Sequence, residues 1–168
     1  MERKSFEGMN CSVARSLEQV GEWWSLLIVR EAMQGTKRFD EFQQKLGIAR
    51  NILTARFERL IEAGVMERYP CQERANTFGY RLTQKGEELY PVMVALSQWG
   101  DRWLSEKPPI VMVDAESGQP IERLAVKNAY GQKLSHREVR YTEGPGATDK
   151  TRETIARRNE RVLGGKSA

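Results

Sequence analysis

FDEFQQKLGIARNILTARFERL, residues 39–60, decides the fold of this chain. Phe39, Phe42 and Leu46 fall three and four apart and line one face of a short helix. Leu53, Phe57 and Leu60 do the same for a second helix, and Gly47-Ile48 separates the two. Two short amphipathic helices across a glycine turn are the sequence form of a helix-turn-helix. The second helix turns Arg50, Asn51 and Thr54 away from its apolar face, with Arg56 and Arg59 on the flanks. These side chains suit base edges in a major groove. Arginine forks onto guanine acceptors, asparagine pairs with adenine, and threonine offers a hydroxyl and a methyl. Helical domains of other kinds share the pattern, with the charges merely solvated, so the flanking segments carry the decision.

Downstream, Gly64 stands where a helix of this kind ends in a left-handed residue. Val65 to Tyr69 and Tyr80 to Thr83 read as short strands, and the polar PCQERANTFG between them reads as a long hairpin tip. A helix-turn-helix followed directly by a hairpin is a winged helix. The tip would offer Arg74, Asn76 and Thr77 to a minor groove or the backbone. Upstream, Trp24 to Met33 is nearly all apolar and too short to span a membrane, which marks a core helix closed by Gly35. Thr36-Lys37-Arg38 then places two cations before a helix N-terminus, a natural phosphate contact. Cys11 to Val20 reads as the first helix, with Val13, Leu17 and Val20 on one face and Gly21 as its stop.

Thr83 is a good N-cap for a helix reaching Leu104. Leu89, Val92, Met93, Leu96, Trp99 and Trp103 step along it by three and four, and Pro91 is expected to kink it. So small a domain has little room left for these aromatics. Val92, Leu96, Trp99 and Trp103, joined by Val13 and Leu17, are therefore expected to pair one copy of the chain with another.

Composition narrows the alternatives. Thr36 to Lys85 carries ten Lys/Arg against six Asp/Glu, and Lys150 to Ala168 six against two, so positive charge gathers on the helix-turn-helix and the tail. That asymmetry is expected of a nucleic-acid-binding face. There is no apolar leader at the N-terminus and no run long enough for a membrane span, and a reducing cytoplasmic setting is the default. Cys11 and Cys71 are far apart, and His136 is the single histidine, so spacing gives no zinc site. A thiol enzyme centred on Cys11 would lack a nearby base, and the chain is not expected to be an enzyme. A winged helix serving as a protein-interaction module is the alternative, which the polar residues Arg50, Asn51 and Thr54 disfavour.

Lys107-Pro108-Pro109 marks a boundary. Beyond it Ile110 to Val113, Ile121 to Val126 and Leu134 to Tyr141 read as strands, with Ser117-Gly118 and Tyr130-Gly131 as turns. A weak repeat at an offset of 13 aligns VDAESGQPI with VKNAYGQKL. The expected organisation is α+β and mainly α. A winged helix-turn-helix with a kinked dimerisation helix covers residues 1–106, a small antiparallel β extension 107–146, and a basic, disordered or marginally helical tail 147–168.

The ordered set C-x-V from Cys11, G-x-W from Gly21, E-A-G from Glu62 and YRLT-x-KG from Tyr80 resembles the HxlR family of bacterial winged-helix transcription regulators. The likeness covers most of Cys11 to Leu104. It implies homodimers that bind double-stranded operator DNA and need no cofactor, with repression as the expected output. One departure is Ala49, where the family usually has a Ser capping the recognition helix; losing a cap costs ~1 kcal/mol. The extension resembles a small sheet of longer members, which in certain relatives is a zinc ribbon with two C-x-x-C-G knuckles. Asp114, Ser117, Lys127 and Tyr130 stand at those positions here, so no metal is expected. The resemblance also makes Cys11 a candidate sensor of oxidants or electrophiles.

Overall fold

The computed structural model describes residues 5–6, 8–71 and 77–164. The chain divides into two compact units, Met1–Pro109 and Ile110–Ala168. The first runs α1 (Ser12–Val20), α2 (Trp23–Met33), α3 (Phe39–Leu46), α4 (Arg50–Glu62), β1 (Met66–Pro70), β2 (Phe78–Leu82), α5 (Gln84–Glu87) and α6 (Tyr90–Trp103); the second carries α7 (Asp149–Gly164).

The core is built where the apolar periods of α2, α3 and α4 converge. Ile28, Val29, Phe42, Leu53, Phe57, Leu60, Val65 and Met66 are all buried in one cluster. Phe42 meets the Phe57 ring edge-on at 5.1 Å, and Tyr80 of β2 stacks on Phe57 at 4.1 Å. The central Phe57 therefore ties α3, α4 and the hairpin into one packing unit. Such aromatic pairs add about 0.5–1.5 kcal/mol beyond their buried area.

The ends of α4 explain its placement. Its start is uncapped, because Ala49 has no side-chain acceptor. Its end is a Schellman motif: Gly64, at φ +67°, donates to Ile61 O, and the Val65 N–H returns to Leu60 O at 2.9 Å. That reversal sends the chain straight into β1. β1 and β2 pair antiparallel from Met66↔Leu82 to Pro70↔Phe78, and the opposed Glu67 and Arg81 form a 2.6 Å ion pair. The Tyr80 N–H also donates to Lys37 O at 2.8 Å, which ties the lead-in to α3 onto the edge of the hairpin.

The kink expected at Pro91 is instead a break. Thr83 caps the short α5, accepting the Gly86 N–H at 3.2 Å, and α6 starts afresh at Tyr90. Pro91 thus lies in a first helical turn, where its missing N–H has no intrahelical acceptor to lose.

The second unit departs further from expectation. Its pairing among the described residues is reduced to single antiparallel bridges, Val113↔Pro120 and Lys127↔Lys133, where three strands were expected. Ile110, Val111, Leu124 and Val126 stay exposed, so no packed layer forms that would reward longer ladders. The two turns do form, with Gly118 and Gly131 both at positive φ. Asp114 Oδ1 accepts the Ser117 N–H and hydroxyl, each at 2.7 Å, and Asn128 Oδ1 accepts the Tyr130 and Gln132 N–H groups at 3.0 Å. The tail, expected to be disordered or marginally helical, forms α7. Asn159 exchanges hydrogen bonds with the Tyr141 backbone, and the Arg158 guanidinium stacks over the Tyr141 ring at 5.1 Å.

Candidate nucleic-acid interface

α4 buries Leu53, Phe57 and Leu60 and exposes Arg50, Asn51 and Thr54, as its period requires. Beside it, a cleft of about 750 Å³ opens between α4 and the hairpin, lined by Arg38, Phe39, Arg50, Thr54, Arg68 and Tyr80 among others. Three guanidinium groups thus border one concavity, together with the carboxylates of Asp40, Glu58 and Glu62. Two of them lie over aromatic faces, Arg50 at 5.0 Å from the Phe39 ring centre and Arg68 at 4.1 Å from that of Phe78. Stacking of this kind steadies a long side chain while leaving its charge available.

Lys37 and Arg38 stand at the start of α3. Glu41 reaches back to accept both of their backbone N–H groups, at 3.4 and 3.3 Å, which completes half of a capping box. The Arg38 side chain is partly drawn to Asp40 at 3.5 Å, whereas Lys37 is exposed.

The two flank residues differ in how far the fold engages them. Arg56, expected on the DNA side, is half-buried and pairs with Glu22 at 3.0 Å, and Arg59 approaches the same carboxylate at 3.7 Å. Helical geometry is the reason. Position 56 borders the buried stripe, about 40° from Leu60 on the wheel, so its side chain reaches Glu22 at the joint between α1 and α2. Thr54 is exposed, but its hydroxyl donates to Arg50 O at 2.9 Å. Of the expected wing residues, Arg74 and Asn76 lie outside the described residues, and Thr77 lines the cleft.

Sequence reasoning missed Arg68 and Glu22. Arg68 is an exposed position in the alternation of β1, a signal that only its place beside α4 makes meaningful. Glu22 had no signal, because its partners are far along the chain.

The expected pairing residues Val13, Leu17, Val92, Leu96, Trp99 and Trp103 are all exposed. α6 buries Val94 against its own unit and leaves Trp99 and Trp103 52% and 62% exposed. Cys11 is the exposed N-cap residue of α1. Among the described residues, no cluster of three or more His, Cys, Asp or Glu could hold a metal ion, and no helix is long and apolar enough to cross a membrane.

A tri-helical core, an exposed polar second helix and an adjoining two-stranded wing define a winged helix-turn-helix DNA-binding protein. The family model described as HxlR-like helix-turn-helix matches residues 19–108, more than half of the chain. The protein belongs to the HxlR family and is a transcriptional regulator, not an enzyme. It is 39% identical over 143 residues to an HTH-type transcriptional regulator of Mycobacterium tuberculosis, covering 84% of this chain and 89% of that protein. Among solved structures it is similar to the transcription factor PA1607, at 40% identity and a TM-score of 0.78, covering 84% of this chain and all of that one (100%). It is also similar to the redox regulator HypR in its oxidized form, at 27% identity and a TM-score of 0.51, over 55% of this chain and 96% of that one.

Proposed function

We propose that the chain acts as a homodimeric repressor that reads a palindromic operator, one half-site per subunit. The observation carrying this is the exposed face of Arg50, Asn51 and Thr54 on a helix whose other side is locked into the core. Each α4 enters a major groove, and the two half-sites lie about 34 Å apart. Lys37 and Arg38 at the start of α3, and Arg74, Asn76 and Thr77 of the wing, meet the backbone or minor groove. Occluding RNA polymerase is the output.

The stripe of Val92, Leu96, Trp99 and Trp103 on α6, with Val13 and Leu17 on α1, supports the dimer. A stable interface buries roughly 1,200 Å² or more, and large aromatics exposed along one helix supply that kind of surface. Cys11 is the oxidant- or electrophile-responsive residue in this reading. Its support is exposure at a helix N-terminus, where the backbone dipole favours a thiolate, and the similarity to a protein titled a redox regulator. The extension works without zinc.

Asn51→Ala tests the central claim. It should lose ~1–3 kcal/mol on the selected operator and relax base choice. Lys37→Ala should weaken all sequences alike and lower the salt slope by about 1. Binding by Asn51→Ala as tight and as selective as the parent's overturns the assignment of α4.

A further inference from the structure

We infer that α4 reads thymine 5-methyl groups, with Ile52 as the side chain that senses them. The inference rests on α4 being the recognition helix and specifies what it recognises.

The sequence suggests a reading face rich in donors, and the structure removes several. Arg56 is taken up by Glu22 at 3.0 Å, and Arg59, still exposed, lies two turns along from Ile52 and 3.7 Å from the same carboxylate. The Thr54 hydroxyl spends its proton on the Arg50 carbonyl, which leaves the side chain a methyl and acceptor lone pairs to offer. Arg50 is held over Phe39 at the edge nearest the wing. On the solvent side of the first two turns, Asn51, Ile52 and Ala55 remain exposed.

Ile52 does not belong to the core. The buried apolar face of α4 is Leu53, Phe57 and Leu60, and Ile52 is 38% exposed beside it. Ile52 and Ala55, three apart, are neighbours on the helix surface, and Asn51 lies four before Ala55. One amide therefore stands next to a small apolar spot. In a major groove only thymine presents an apolar group, its 5-methyl, while asparagine pairs bidentately with adenine. An A·T step supplies both features in adjacent positions, so amide and apolar spot together fit an A·T-bearing half-site.

The experiment starts from duplexes selected in vitro from a random pool by the full-length protein. Each thymine of the selected half-site is replaced singly by deoxyuridine, which deletes the methyl and leaves base pairing intact. The parent should bind at least one such duplex about fourfold more weakly, the loss expected for one buried methyl-sized group. Ile52→Ala, whose fold is checked by circular dichroism, should bind thymine and uracil duplexes equally. If no deoxyuridine duplex weakens the parent while Asn51→Ala still loses selectivity, methyl reading is wrong and the recognition helix stands. If the methyl effect persists undiminished in Ile52→Ala, the assignment to Ile52 is wrong. If the parent selects no sequence, or Asn51→Ala matches it, the reading of α4 fails and this inference with it.

Discussion

Glu22→Ala cuts the clamp between the start of α2 and the middle of α4. The carboxylate lies 3.0 Å from Arg56, and the two side chains are only 29% and 20% exposed. A hydrogen bond to a charged group contributes about 1.5–3 kcal/mol, and this half-shielded pair belongs near the middle of that range. Removal also strands Arg56, whose Nε is buried without a partner. A loss of about 2 kcal/mol lowers the Tm of a domain of this size by roughly 10 °C. Thermal unfolding of the parent, Glu22→Ala, Arg56→Ala and the double variant closes a cycle with an expected coupling of about 1–2 kcal/mol. Arg56→Ala should also leave the salt dependence of operator binding unchanged, because its charge is engaged inside the protein. An arginine on a phosphate would instead contribute about 1 to that slope. Coupling near zero with a shallower salt slope would put Arg56 on DNA and refute the clamp.

Trp103→Ala should shift the protein toward monomer in sedimentation at micromolar concentration and weaken operator binding; a parent that sediments as a monomer yet binds the palindrome at full strength rules the interface out. Mild oxidant or quinone should release the parent from its operator, reversibly by dithiol in the oxidant case, and Cys11→Ser should not respond; release that persists in Cys11→Ser leaves Cys11 as packing. The hydroxyl and backbone N–H of Ser117, helped by the Glu116 N–H, hold the Asp114 carboxyl below its ordinary value. Its contribution to the turn is therefore present above the ordinary carboxylate range and lost as pH falls through the lowered folded value. Ser117→Ala should move the Asp114 carboxyl resonance midpoint upward in an NMR titration, and an unchanged midpoint would show that the serine hydroxyl does not hold the charge.

The parts of this fold that could be read from the chain are those in which local pattern and tertiary burial agree. Phe39, Phe42 and Leu46, then Leu53, Phe57 and Leu60, announce two helices by period, and the same residues pack toward the core. Gly64 announces the turn into the wing, because its positive φ suits glycine. The misses arise where distant residues decide. Arg56 looks like a groove contact until Glu22, from the α1–α2 joint, takes it up. Pro91 looks like a kink within one long helix, since the restart of α6 at Tyr90 leaves no apolar break in the sequence. The valines and isoleucines of the extension have strand propensity, yet without a covering layer they settle for turns and single bridges. The tail has few apolar residues, and its helix is tied through the polar Asn159 and the arginine–tyrosine stack at Tyr141, which hydrophobic periodicity does not register.

The hydrogen bond from the Tyr80 N–H to Lys37 O makes the wing and the lead-in to α3 a caliper of fixed gap. One jaw carries Lys37 and Arg38, the other the hairpin, and Tyr80 stacked on Phe57 braces the link from the core side. Because the link is backbone to backbone, no side-chain substitution retunes the gap directly. A wider or narrower spacing between these two elements therefore requires an added or deleted residue in the lead-in or in β2, because a side-chain substitution leaves the Tyr80–Lys37 backbone link in place.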